Sequence, residues 1–299
     1  MIPIGAKDNE ISKKKIIFVE ILSLNITNMG NSVKRVLFVN SEMCPYLPES
    51  TISKIGRNLP QGIQERKKEI RSFMPRYGCI NERKNQLHEV IRLSGMNIII
   101  NDVDRPLVIK VASISAARMQ VYFIDNEDYF HRKQVYYDES GEFFKDNGER
   151  AAFFARGVLE TVKKLRWAPD VIHCHGWISH VLPLYLKKAY IDDPIFSNSK
   201  VVLSLYDDIP EEFGEDLKGK VRYAGINDND LEVIDTPTGI NLAKLAADHS
   251  DAIIFASDNI PQEVAEYCSK SGLPTLPYNA AALEDGSYID DYNRFYDQL

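Results

Sequence analysis

Four short stretches of this chain are apolar almost without a break, and each runs into a loop that leads to a segment of different character. They are RVLFVN (35–40), the strand of PDVIHCHGW (169–177), the opening of KVVLSLYDD (200–208) and DAIIFAS (251–257). A strand with one wet face alternates polar and apolar residues. A continuous apolar run has no wet face, so it belongs inside a parallel sheet covered on both sides by helices. That requirement constrains the fold more than any other feature of the sequence.

The intervening segments supply the cover. Residues 51–66 place Ile52, Ile55, Leu59 and Ile63 at helical spacing, with Pro60 expected to kink the helix. DNGERAAFFARGVLETVKKLRW (146–167) reads as a long amphipathic helix, with Asp146 as N-cap and Glu149 at capping-box spacing. ISHVLPLYLKKAY, INLAKLAADHS and NIPQEVAEYCSK read as further helices, and EIRSFMPRYG (69–78) as another strand closed by a turn. Alternating strands and helices with short links predict an α/β fold built on a doubly wound, Rossmann-like parallel sheet. Residues 87–124 depart from that pattern: LHEVIRL, MNIIIND, LVIKVASI and MQVYFID are short strands parted by turn signals, which read as inserted β-hairpins. Residues 209–235 are polar and acidic and read as a long loop. The expected organisation is an N-terminal extension (1–33), one domain (34–274) and an acidic, Tyr-rich tail (275–299) that wraps over the surface or stays loose. In such sheets ligands sit outside the carboxyl ends of the strands, which brings together loops 41–51, 173–177 and 205–209.

Charge and cysteine usage narrow the classes. A net charge of −7 argues against a nucleic-acid binder, because phosphate attraction needs surplus Lys and Arg. Cys44, Cys79, Cys174 and Cys268 form no CxxC pair and read as reduced thiols of a cytoplasmic protein. KKKIIFVEILSLNI (13–26) puts basic residues before an apolar run, but Glu20 interrupts it, and it is too short and polar to span a bilayer. No membrane partner is expected, and Met29 is a natural start for the working protein.

Five colinear segments carry a resemblance. VLFVNSEMCPYLPES…NLPQGI with MPRYG, VYFIDNEDYFHR, DNGERAAFFARGVLE, PDVIHCHGW and INLAKLAADHSDAIIFAS resemble, in order from about residue 34 to about residue 270, bacterial glycogen synthases and plant starch synthases. The resemblance implies a GT-B fold, two Rossmann-like domains facing across a cleft, with this chain equivalent to the N-terminal half. It also implies glucosyl transfer from ADP-glucose to an α-1,4-glucan, with no metal and no other cofactor. The second domain of that family holds most of the nucleotide site, and this chain is expected to stop before it.

The family's Lys-Thr-Gly-Gly-Leu loop falls on Pro48-Glu49-Ser50-Thr51-Ile52. Glycines let backbone N–H groups approach a diphosphate closely. Here Pro48 offers no N–H and no charge, Glu49 adds a negative charge, and Ser50 and Thr51 add Cβ atoms. Losing one charged hydrogen bond costs about 1.5–3 kcal/mol. ADP-glucose is therefore expected to bind weakly or not at all.

The resemblance also marks site residues. His175 matches the histidine that meets the transferred glucose, and Asp146 is nearest to an acidic residue by the sugar site; these are the catalytic candidates. His173, Trp177, Arg150, Ser50 and Thr51 are the substrate-binding candidates. Gly176 stands where the family motif has Asp, and Tyr206 stands where it has His. Each has a plainer alternative. The two histidines share a strand face and can simply pack there, Asp146 can cap its helix, and Trp177 can fill the core. With His180, the histidines could ligate zinc, but no further ligand follows at suitable spacing, and none is assigned. Three readings follow: a glucosyltransferase, a silent relative that kept a glucan-binding or regulatory scaffold, or a half-enzyme completed by a partner chain.

Overall fold

The computed structural model describes residues 33–299 apart from Glu215. The expected N-terminal extension, with its alternative start at Met29, lies outside the described residues but for Val33. The apolar runs become the middle of a sheet in the order β10-β9-β8-β7-β1-β2-β6-β5-β3. These strands are β1 (Arg35–Asn40), β2 (Glu69–Pro75), β3 (His88–Glu89), β4 (Met96–Ile100), β5 (Val103–Ile114), β6 (Met119–Asp125), β7 (Val171–His175), β8 (Lys200–Leu205), β9 (Ala252–Phe255) and β10 (Thr275–Leu276). From β10 to β6 every pairing is parallel. At β5 the sheet turns antiparallel, and β3 and β4 pair with β5 as the inserted hairpin structure. Burial follows this layout. β7 is buried at every residue, whereas β5 alternates over much of its length because one of its faces is wet.

Helix α1 (Thr51–Glu65) buries Ile52, Ile55, Leu59 and Ile63, and accommodates Pro60 internally. Helix α2 (Asn147–Leu165) packs against β4 and β6, and α3 (Gly239–Asp248) and α4 (Gln262–Lys270) follow the later strands. The segment expected as one helix over 178–190 is broken into a 3-10 turn (Trp177–Ser179), a short α-turn (Leu182–Leu184) and a π-helical turn (Tyr185–Ala189). The expected loop 209–235 folds locally, with helical turns at Leu217–Val221 and Asn229–Ile234, because Phe213, Leu217, Val221, Leu231 and Ile234 are all buried.

The tail also departs from expectation. It adds β10 beside β9, then α5 (Ala280–Asp285) and α6 (Tyr288–Tyr296). Tyr288, Tyr292, Phe295 and Tyr296 are all buried, a stripe at i, i+4, i+7 and i+8. Topology explains why the sheet needs this helix. The step from β1 to β2 runs one way across the sheet, and the steps from β7 through β10 run the other way. Right-handed crossovers therefore put α1 on one face, and α3 and α4 on the opposite face. Beside α1 the first face is left open under β7 and β8, and α6 packs there against α1. Arg66 Nε donates to Asp290 at 2.7 Å, and Lys68 Nζ to Asp297 at 2.7 Å.

Candidate functional site

The carboxyl ends of β1, β7 and β8 lie side by side, so their three loops meet. The Ser41 amide donates to the His175 carbonyl at 2.9 Å, and the Trp177 amide donates to Asp208 Oδ2 at 2.9 Å. Gly176 makes this possible. Its φ is +80°, and a Cβ there would lie 2.1 Å from Ser41 Oγ and 2.9 Å from Asp208 Oδ2. Only glycine admits both that dihedral and that crowding.

His173 and His175 point to one face of the sheet, with ring centroids 3.8 Å apart. His173 is bonded at both nitrogens: Nδ1 to Tyr296 Oη at 2.6 Å and Nε2 to Ser204 Oγ at 2.7 Å. His175 Nδ1 meets Tyr206 Oη at 2.8 Å, and its Nε2 has no partner among the described residues. Burial pushes His175 down to about 3 and His173 well below its usual range, so both rings are neutral at physiological pH. His180 is buried as well, with neither ring nitrogen partnered among the described residues. Among the described residues, no three His, Cys, Asp or Glu side chains gather as a metal site requires.

Loop 48–51 is organised around a helix start. Ser50 is the N-cap of α1: its hydroxyl accepts from the Ser53 amide at 3.0 Å, and its own amide donates to Ser53 Oγ at 2.7 Å. The Ser50 hydroxyl also donates to Glu42 Oε2 at 2.8 Å. Thr51 opens the helix with its side chain exposed, and exposed Glu49 pairs with Lys54 at 3.1 Å. Two carboxylates, Glu42 and Glu49, therefore border the loop, and Lys54 of the first turn of α1 is paired with Glu49. Burial raises the Glu42 carboxyl above its ordinary value, against the opposing hydrogen bond from Ser50.

The remaining sequence candidates are structural in their surroundings. Asp146 does not cap α2 through its side chain. Its carboxylate is held by Arg132, with Nη1 to Oδ1 at 2.9 Å, so the expected capping box is absent. Arg150 is fully buried, donating to the Tyr129 carbonyl at 2.8 Å and to Asn147 Oδ1, with the Phe130 ring 5.3 Å from its guanidinium carbon. Trp177 is 2% exposed and wedged between Tyr136, Phe143 and Phe213, with no open ring face for a sugar. Arg150 and Asp146 thus sit at the start of α2, separated from the three-loop junction by a layer of aromatic rings.

Sequence reasoning missed Asp208. Burial pushes its carboxyl up to about 7, and its Oδ1 has no partner among the described residues. A carboxyl raised by burial toward neutrality, just beyond the carboxyl end of β8, marks Asp208 as a group of this junction to test for function. The available signal was its place two residues beyond Tyr206, opposite the glycine that replaces an acid in the strand-end motif of β7.

Comparison with known proteins agrees with this architecture. A family model described as the starch synthase catalytic domain matches residues 35–276. The glycogen synthase of Chlorobium limicola is 40% identical over 174 residues, covering 58% of this chain and 36% of that protein. The glycogen synthase of Chlorobaculum tepidum is 32% identical over 234 residues, covering 78% of this chain and 47% of that protein. The chain therefore spans less than half the length of these relatives. Among solved structures, the catalytic domain of starch synthase IV from Arabidopsis thaliana, bound to ADP and acarbose, matches with a TM-score of 0.63 at 15% identity. That match covers 83% of this chain and 51% of the other, and it speaks for the fold.

Proposed function

The chain belongs to the starch synthase catalytic domain family of glycogen- and starch-synthase-like glycosyltransferases, and from that premise we propose that residues 34–299 act as a cytoplasmic, α-glucan-binding lobe that does not itself turn over ADP-glucose. One observation carries this reading: the hydroxyl of Ser50 caps α1 and binds the Glu42 carboxylate, while Glu49 takes up Lys54. A diphosphate approaching this loop meets carboxylates and a helix start whose Ser53 amide is already taken by the Ser50 hydroxyl. Like charge disfavours it, and each missing charged hydrogen bond costs about 1.5–3 kcal/mol. Transfer of a sugar needs preorganised positive charge where the diphosphate departs, and loop 48–51 supplies none. The buried, neutral His175 adds to this, since its ring is sealed beneath Tyr206 and Phe38.

A second reading, a half-enzyme whose donor side comes from another chain, uses the same lobe and differs only in assay. The purified chain is titrated calorimetrically with ADP-glucose and with maltoheptaose, then assayed for glucose incorporation into glycogen. Maltoheptaose binding without ADP-glucose binding is the expected result. Tight ADP-glucose binding, or incorporation by the chain alone, overturns the proposal, and incorporation only on addition of a second protein selects the half-enzyme.

A further inference from the structure

A sizeable cavity lies at the opposite end of the sheet from the three-loop junction. It has a volume of about 580 Å³ and opens where β2 and β6 begin, with Lys68, Glu69, Arg71, Arg118, Tyr122 and Trp167 in its wall. Since β1, β2, β6 and β7 are parallel, this is the amino-terminal edge of the strands, remote from His175 and Asp208.

Its charge is unusual for this molecule. The whole chain carries −7, yet the wall holds three cations and one carboxylate. That carboxylate is already engaged: Glu69 Oε2 accepts from Arg35 Nε at 3.1 Å and from Trp167 Nε1 at 3.1 Å. Its acidity is correspondingly increased, first by the indole and then by Arg35. Among the described residues neither Arg71 nor Arg118 has a carboxylate partner. The Arg71 guanidinium is nonetheless fixed in place. It donates to Tyr122 Oη, and its central carbon lies 5.6 Å from the Tyr122 ring and 5.2 Å from the Trp167 ring. Its Nε is shielded from solvent and without a partner among the described residues, so the outer nitrogens are the ones that can meet a ligand. A half-buried guanidinium anchored by aromatic rings, whose charge Glu69 offsets only from beyond ion-pair distance, is a preorganised anion receptor.

We propose that this cavity is a ligand site for a small organic phosphate, with Arg71 and Arg118 as its charge partners. A phosphate supplies several acceptor oxygens, which matches two guanidinium groups better than a single carboxylate does. The volume lies in the range of small-molecule sites, about 300–1,000 Å³, and leaves room for a sugar or nucleoside attached to the phosphate. A polynucleotide fits poorly, because the cations are few and sit in a concavity of an acidic protein. Lys68 is a reserve cation: its Nζ is held by Asp297 Oδ1 at 2.7 Å and Oδ2 at 2.9 Å, next to Tyr296 of α6. A bound phosphate and Asp297 therefore compete for the same ammonium.

The test uses the full chain in low-salt, phosphate-free buffer and calorimetric titration with sodium phosphate, ribose 5-phosphate and sodium acetate. Saturable binding of phosphate is expected. The exposed Arg118→Ala should weaken it about tenfold or more, with an unchanged melting temperature. Asp297→Asn should tighten it a few-fold by releasing Lys68. Tighter binding of ribose 5-phosphate than of phosphate identifies a phosphorylated sugar or nucleotide as the occupant, which is the result expected. Absence of saturable binding, equal affinity for acetate, ribose 5-phosphate binding no tighter than phosphate, or the same affinity in Arg118→Ala overturns the proposal.

Discussion

The hydroxyl of Tyr296 lies 2.6 Å from Nδ1 of His173, joining α6 to the middle of a central strand 123 residues earlier. Both groups are buried, and the other nitrogen of the imidazole is taken by Ser204. A buried ring with an unpaired nitrogen costs free energy, so the docked helix satisfies the sheet as well as covering it. Tyr296→Phe keeps the ring and removes only the hydroxyl. It should destabilise the protein by about 1–3 kcal/mol, the cost of leaving a buried polar atom unmet. Urea unfolding reads this directly, and an unchanged midpoint would show that the contact is incidental.

Gly176 holds the three-loop junction together by having no side chain. Gly176→Ala forces a Cβ to within 2.1 Å of Ser41 Oγ, at a φ of +80° that L-residues disfavour. Strain of this kind costs about 1–3 kcal/mol before the overlap is counted. Melting temperature should fall, and Ser41→Gly in the same chain should recover part of the loss, because it removes both of the closest atoms. Equal stability of Gly176→Ala and the parent would sink this account of the junction.

A half-buried carboxyl and a buried imidazole give stability opposite slopes against pH. Asp208 ionises near 7 in the folded chain and near 3.8 when exposed. Between those values the unfolded chain loses the proton and the native one keeps it, so this group erodes stability as pH rises from about 4 to about 7. His175 titrates near 3 when folded and near 6.5 when exposed, so its contribution is intact above 6.5 and is lost as pH falls toward 3. Asp208→Asn keeps an acceptor for the Trp177 amide and removes the first slope. The variant should match the parent near pH 4 and exceed it near pH 8 by a few kcal/mol, since each tenfold change in proton affinity between the folded and unfolded chain is worth about 1.4 kcal/mol. A difference between variant and parent that is the same at both pH values would refute the assignment.

The parallel core was legible because unbroken apolar runs admit few other placements, and Val36 to Val39 and Val171 to His175 are all buried. The docked helix was hidden by its charges. Asp290 and Asp291 interrupt the stripe of Tyr288, Tyr292 and Phe295 in the sequence, yet they lie on its outer side, where Asp290 meets Arg66. Local motifs failed where a distant residue competed. Asp146 has the spacing of a capping residue, but Arg132 takes its carboxylate. Ser50 lacks the usual Glu or Gln three positions on, and Ser53 performs that role instead. Asp208 could not be singled out from its own neighbourhood, because what makes it distinctive is a missing side chain at Gly176, at the end of a different strand.

The helix that closes the face beneath β7 and β8 follows, in chain order, every strand it covers, so it leaves the ribosome after them. Until residues 288–296 emerge, that side of the nascent sheet stays uncovered, histidines included. Contacts so far apart in sequence are slow to form. Docking of that helix is therefore the step that shuts water out from the imidazoles of β7.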